Sequence, residues 1–265
     1  MLQEIAIYGK LATMALKGKM QYRMDFFAGL AGVFILNGMN IASLGVLTYR
    51  FETLGGWDMG ELLFLYSLFM ICRSVYSTFL QHVEALEEEI AQGTLDRFLT
   101  RPVSPLLQLI GQDVQYIGVA DFLFGLACFY TSISLIRPAW GFIDIVWLVA
   151  FLVSGVIIET SISLLCASVA FKAVRANVLR DIIMRTKVIT QQYPIAVFGD
   201  AFRVLVTGFV PIAFINYYPA VFLLGKETAA PLWLSGLSPL VATVLALLAL
   251  TAWNRGLANY SSTGN

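Results

Sequence analysis

The chain has 265 residues, 58% of them hydrophobic and only 13% charged, with no net charge. A soluble domain carries about 25% charged residues, so this composition excludes an ordinary water-exposed globule, and the absence of basic-aromatic strips argues against a nucleic-acid partner. The mean hydropathy of +0.78 is concentrated in six apolar blocks, each long enough for a bilayer core, which takes roughly 20 residues to cross.

Residues 1–25 place Gln3, Lys10, Thr13, Lys17 and Gln21 at helical spacing among Leu2, Ile5, Ile7, Leu11 and Met14. That pattern predicts an amphipathic helix lying at the membrane surface, its lysines among lipid phosphates. No cleavable signal is expected. One transmembrane domain is predicted over 26–255, followed by a cytosolic tail at 256–265. Its spans are predicted at about 26–48, 61–80, 114–136, 145–170, 203–224 and 233–253, which makes the fold class an all-α polytopic membrane protein. Aromatic residues such as Phe26, Trp57, Trp140, Tyr217 and Trp253 lie near block ends, as an interfacial belt does. With both termini inside, thirteen Lys and Arg fall on inner segments and three on outer loops. The positive-inside rule then places both termini in the cytosol.

Between the second and third spans, residues 84–105 read EALEEEIAQGTLDRFLTRPVSP. Val83, Leu86 and Ile90 repeat at helical spacing. Gly93 suits the left-handed position that ends a helix, Thr94 an N-cap and Asp96 a first helical turn, and Pro102 and Pro105 stop that second, short helix. The expected result is a stiff hairpin whose Leu95 and Phe98 are available for a partner to bury. Further on, 171–194 is predicted to extend the fourth span into the cytosol as a basic helix. Residues 209–239 stay apolar yet hold Pro211, Pro219, Pro231 and Pro239. The fifth span is therefore expected to end near Tyr217, with one or two short outer helices before the sixth.

Arg73, Asp121 and Glu159 are the ionisable residues deepest in predicted spans. Such charges are costly and face a bundle interior or a wet cavity. Two readings stand: a path for a charged or amphipathic substrate, or a buried Arg–Glu pair that fixes helix register. Gly155, Glu159 and Ser163 share one face, which lets another helix come close. Cys72, Cys128 and Cys166 read as packing residues, and no metal-ligand cluster surrounds His82. No catalytic constellation appears, so the chain is not expected to be an enzyme or to bind a metal.

Glu89 to Ser104 resembles the segment after the second span of type-2 ATP-binding-cassette exporter permeases. AFKAVRANVLRDI (170–182), YPIAVFGDAFR (193–203) and FVPIAFINYYPAVFLLGKE (209–227) are similar to one bacterial branch of that class, with Lys172 departing from an expected aromatic. The resemblance implies a type V exporter fold in the cytoplasmic membrane, in which two permease subunits, alike or homologous, pair around an ATPase dimer. It also implies that 84–100 docks on that ATPase, and Glu87, Glu88, Glu89, Gly93, Thr94, Leu95, Asp96 and Arg97 are the expected contacts. ATP and Mg2+ are expected on the partner: no G-x-x-x-x-G-K-[ST] occurs, since Gly225-Lys226 is followed by Glu227 and Gly18-Lys19 by Met20. The competing readings are an ion-coupled secondary transporter using Arg73, Asp121 and Glu159 as a relay, and a non-transporting membrane scaffold or sensor.

Overall fold

A computed structural model describes residues 23–112, 115, 117–171, 177–227 and 231–260. The expected surface helix over 1–25, the end of the 256–265 tail and Lys172 lie outside the described residues, apart from 23–25 and 256–260.

Helix α1 (Arg23–Phe51) leads through a tight loop to α2 (Met59–Phe79). Asp58 caps α2: its carboxylate accepts from the Glu61 N–H and the Glu61 carboxylate accepts from the Asp58 N–H, both at 2.9 Å. This reciprocal box satisfies two N–H groups that the helix cannot satisfy itself. A short 3-10 turn (Gln81–Ala85), α3 (Leu86–Ala91), α4 (Asp96–Leu99) and α5 (Pro105–Ile110) form the hairpin region. Helices α6 (Ile117–Ile136) and α7 (Phe142–Ser168) come next, then α8 (Asn177–Gln192), α9 (Asp200–Val204), α10 (Tyr217–Leu224), α11 (Leu232–Ser235) and α12 (Ser238–Ala258).

Helix α2 is the axis of the bundle. Leu62, Phe64, Leu65, Tyr66, Phe69 and Cys72 are all fully buried. The neighbours come close because they present glycine. A Cβ on Gly118 of α6 would stand 2.9 Å from the Ser74 carbonyl, and one on Gly155 of α7 only 2.5 Å from the Cys72 sulfur. Small residues at the contact are how helices approach closely in lipid. On α12, Ala242, Ala249 and Gly256 are buried at seven-residue steps, the spacing that lays one helix along another, and α12 lies along α7. The outward faces stay apolar: Ile35, Leu36 and Met39 on α1 and Ile143, Val146, Val149 and Val153 on α7 are exposed. In water such a surface is a liability; in a bilayer it meets hydrocarbon.

Five helices among the described residues are long and apolar enough to cross a membrane: Phe27–Phe51, Met59–Phe79, Ile117–Ile136, Phe142–Phe171 and Ser238–Ala258. They lie over five of the six expected spans. The sixth differs. Asp200–Phe209 and Ile212–Leu224 form a pair bent by 75°, with a π-helical segment over Leu205–Phe209 just before Pro211. Both ends of this pair lie at the same end of the bundle. Ile195, Ala196 and Arg203 share one cavity with Gly55, Gly56, Trp57 and Lys226. Lys226 donates to Gly56 O at 2.8 Å and to Glu61 at 2.5 Å. The stretch expected as one span at 203–224 is thus broken into two bent halves: its prolines interrupt the ladder, and the freed backbone is covered by protein, as broken helix at membrane depth requires.

Helix α8, expected to extend the fourth span into the cytosol as a basic helix, packs against the bundle. Lys187 reaches Glu159 on α7, Gln191 Nε2 reaches Met70 Sδ on α2 at 3.2 Å, and Asn216 of the bent pair donates to Thr190 O at 3.0 Å. Beyond it, Val197 presses on Gly55. Sixteen residues at 1.5 Å each make about 24 Å of helix, and α8 uses it to run from the hairpin end of the bundle to the Gly55–Trp57 end.

Candidate functional site: the hairpin and the buried charges above it

The hairpin is built on its own apolar floor. Val83, Leu86, Leu95, Phe98 and Leu109 pack with Leu164 of α7 and with Ala249 and Trp253 of α12. Leu95 is 0% and Phe98 2% exposed. This corrects the expectation that the two are free for a partner; they fasten the hairpin to two long helices. Gly93 is left-handed, with φ of 69°. The turn is closed by the Gly93 N–H to Ile90 O at 3.1 Å and the Leu95 N–H to Glu89 O at 3.2 Å. Thr94 does not cap the next helix, which has no side-chain cap. Its hydroxyl turns back and donates to the Glu89 carboxylate, because the tight turn puts that acceptor nearer than the N–H groups ahead. Arg97 lies 3.8 Å from the same carboxylate. Gln108 Nε2 donates to Phe98 O at 3.0 Å and Val103 O at 2.8 Å, pinning the chain between the two prolines.

What remains outward is a different set from the expected one. Glu88, Ala91, Gln92 and Arg97 are exposed, as are Leu99, Thr100, Arg101 and Pro102 after them. Leu99 is 45% exposed and is the apolar projection of this tip. Glu87, Glu89, Gly93, Thr94 and Asp96 are half-buried, and Leu95 is buried. Tyr260, beyond α12, stands beside Asp96; burial first, then that carboxylate, raises its phenol above the ordinary value.

The deep charges separate onto two sides of α2. On one side Tyr66 donates to Asn37 Oδ1 at 2.7 Å, and Asn37 Nδ2 donates to Asp121 at 2.9 Å. Arg73 lies near enough to Asp121 for their charges to interact, yet its Nη1 is buried with no hydrogen-bond partner among the described residues. On the other side Glu159 meets Lys187 at 2.9 Å, with the side chains 0% and 1% exposed. Lys187 also donates to Ser163 at 3.3 Å and stands 5.7 Å from the centre of the Tyr76 ring. Of the two readings of the deep charges, the Arg73–Glu159 pair is not formed: the partner of Glu159 is Lys187. From the hairpin side, Glu84 accepts the Tyr76 hydroxyl at 2.6 Å. A narrow crevice of about 20 Å³, lined by Glu84, Glu87, Ser163, Arg180 and Lys187, has room for about one water molecule. Glu84 at the hairpin base is thus joined to Tyr76, and Lys187, beside the Tyr76 ring, to Glu159 in the middle of the bundle.

A family model described as ABC-2 family transporter protein matches residues 34–264. The chain belongs to the ABC-2 transporter family. Comparison with curated proteins and with solved structures gives no match. ABC-2 proteins of this kind are the membrane components of ATP-binding-cassette transporters and work with an ATPase partner. The chain is accordingly a multi-pass permease subunit. Two signals for its polar core were missed in the sequence. Lys187 was hidden in a helix too charged to score as a span, and Asn37 and Tyr66 carry no charge to draw notice.

Proposed function

We propose that this permease subunit forms half of an ATP-driven exporter for amphipathic or hydrophobic substrates, driven by a separate ATPase dimer that grips the hairpin. The observation that carries the reading is the hairpin itself. Its tip offers Gln92, Arg97, Leu99 and Arg101 outward, while Leu95 and Phe98 lock its base to α7 and α12. A displacement at the tip then moves two long helices as one body, since packed interiors transmit strain. The Tyr76–Glu84 and Lys187–Glu159 contacts extend the same linkage to α8.

In this reading α8 is the fifth crossing. Three things support it: its length, its contacts with α2 and α7, and the position of Ile195–Ala196 beside Gly55–Trp57. Arg180, Arg185 and Lys187 then leave the inner tally and Arg203 joins the outer one. The bias is nine against four, which still favours both termini in the cytosol and a cytoplasmic-membrane location. Asp181, Ile182, Arg185, Val188 and Ile189 form the exposed face of α8. Exposed charge on a crossing helix is too costly for lipid. A second permease subunit, with the substrate path between the two, is the neighbour that suits it. ATP and Mg2+ belong to the partner in this scheme, and Arg73, Asp121 and Glu159 hold helices in register rather than relay ions.

The test is co-purification with the ATPase, crosslinking from a cysteine at position 99, and ATPase assays in proteoliposomes with candidate amphipathic substrates. A crosslink from position 99 and substrate-stimulated hydrolysis are expected. Transport driven by an ion gradient without ATP would overturn the reading.

A further inference from the structure

A second cavity lies on the other flank of the hairpin base, and it is apolar throughout. It has a volume of about 250 Å³. Leu80 and Val83 close it from the turn after α2, and Leu106 and Ile110 from α5. Its long walls are α7 and α12, where Ala246 and Ala249 leave the space between larger neighbours. Thr160 and Ser161 are its two hydroxyl-bearing residues, and both hydroxyls are spent: each donates to the carbonyl four residues back, Val156 O and Ile157 O, at 2.7 Å. No charged side chain lines it.

We infer that this groove is a binding site for one acyl chain of a membrane lipid, wedged between the hairpin base and helices α7 and α12. Three observations select that occupant. The wall presents no donor, acceptor or charge that a headgroup, an ion or a polar substrate needs. The groove is continuous with surface that is itself apolar and exposed: Val153 and Ile157 on α7, Leu247 and Leu250 on α12. In a multi-pass membrane protein the medium at such a mouth is hydrocarbon, so an acyl chain enters without desolvation. The volume is more than ten times that of the crevice beside Lys187, enough for a substantial part of one chain and too little for a helix. The floor of the site is the apolar seat of the hairpin, because Val83 also packs in the cluster that holds Leu95 and Phe98. Chain occupancy therefore completes the packing under the element that receives the ATPase. The site itself depends only on the membrane-embedded character of α7 and α12, not on export or its direction.

The experiment is photolabelling of the intact chain in nanodiscs of phosphatidylethanolamine and phosphatidylglycerol, doped with a phospholipid bearing a diazirine on one acyl chain. Peptide mapping reads where the label lands. Label is expected on the peptides holding Leu80, Leu106 and Leu250. Ala246→Phe fills the groove and lowers that label about tenfold, while label on the open surface around Val146 and Val149 stays unchanged. Val244→Phe, exposed on the same helix but outside the groove lining, leaves the groove label intact. Thr160→Leu narrows the groove from the facing helix and serves if Ala246→Phe does not insert. Groove label that is absent in the wild type, or unchanged in both filling variants, overturns the inference. So does a disulfide between two copies carrying Leu250→Cys, because a second copy rather than lipid then covers the mouth. A hairpin that never crosslinks to an ATPase leaves the labelling pattern as expected, so failure of the export reading is distinguishable.

Discussion

Lys187 carries its charge where water is scarce, and Glu159, 2.9 Å away, is what makes that tolerable. A buried pair contributes little net stability, but removing one partner strands the other and costs about 3–5 kcal/mol. Lys187→Met therefore leaves Glu159 without the cation, its Oε2 already being unpaired among the described residues. Thermal denaturation in detergent is expected to show a loss on the order of 10 °C for Lys187→Met or Glu159→Leu alone. The double variant recovers most of it, because the space is refilled by apolar groups. A double variant as unstable as the sum of the singles shows that the two residues are not a pair. At Tyr76 the effect is milder. Tyr76→Phe deletes the hydroxyl that Glu84 accepts, and a hydrogen bond to a charged group contributes about 1.5–3 kcal/mol. The expected change sits at the lower end, since Glu84 is only half-buried and regains water. The depth of Glu159 was legible in the sequence, but its partner was not. Nothing in linear spacing joins positions 28 residues apart, and Arg73 was the cation that apolar flanks made conspicuous.

At the level of the element, the hairpin separates what holds from what touches. Leu95→Asp buries an unpaired charge in an apolar cluster, one of the few mechanisms that exceed 4–5 kcal/mol. The variant is expected to fail to accumulate in the membrane, as western blots of membrane fractions would show. Leu99→Asp lies on the exposed tip, where a substitution changes stability by about 0.5 kcal/mol or less. It is expected to insert normally and to lose the ATPase on co-purification. If Leu99→Asp retains the ATPase while a tip residue such as Gln92 proves essential, the apolar contact is misassigned. Gly93→Val forces a branched side chain into a left-handed conformation, costing about 1–2 kcal/mol or more, and re-aims α4. The expected readout is hydrolysis no longer stimulated by substrate, in protein that still inserts. The turn and its stops could be read because glycine, threonine and proline act through the local backbone. The burial of Leu95 and Phe98 could not. Periodicity shows that two apolar residues share a face, but is silent on whether a partner or the chain's own helices will cover it.

The whole molecule turns on where the chain crosses between residues 171 and 238. Hydropathy favours 203–224, because it rewards unbroken apolar sequence. It passes over α8, where Arg180, Asp181, Arg185 and Lys187 lower the score. The structure adds neighbours that a window average does not contain. One charge on α8 is neutralised by Glu159, and the apolar stretch folds back at Pro211 to return to its starting end, where Lys226 is tied to Glu61 and stands 4.8 Å from the Trp57 ring centre. The two schemes agree on both termini, on Asp58 and Lys226 outside and on Thr94 inside, so labelling those positions does not separate them. Asp200 does. Its side chain is 95% exposed and it begins the bent pair, so a cysteine there is reachable with little change to packing. If α8 crosses, a membrane-impermeant maleimide added to intact cells labels position 200 as strongly as position 58, and position 94 only after permeabilisation. If 203–224 crosses instead, position 200 joins position 94 on the inner side and stays dark until the membrane is opened. Labelling that groups position 200 with 94 sinks the α8 crossing, and with it the assignment of the Asp181–Ile189 face to the path between subunits. Labelling that groups it with 58 places the Arg203–Tyr218 cavity on the outer surface, at the mouth from which an exported molecule leaves.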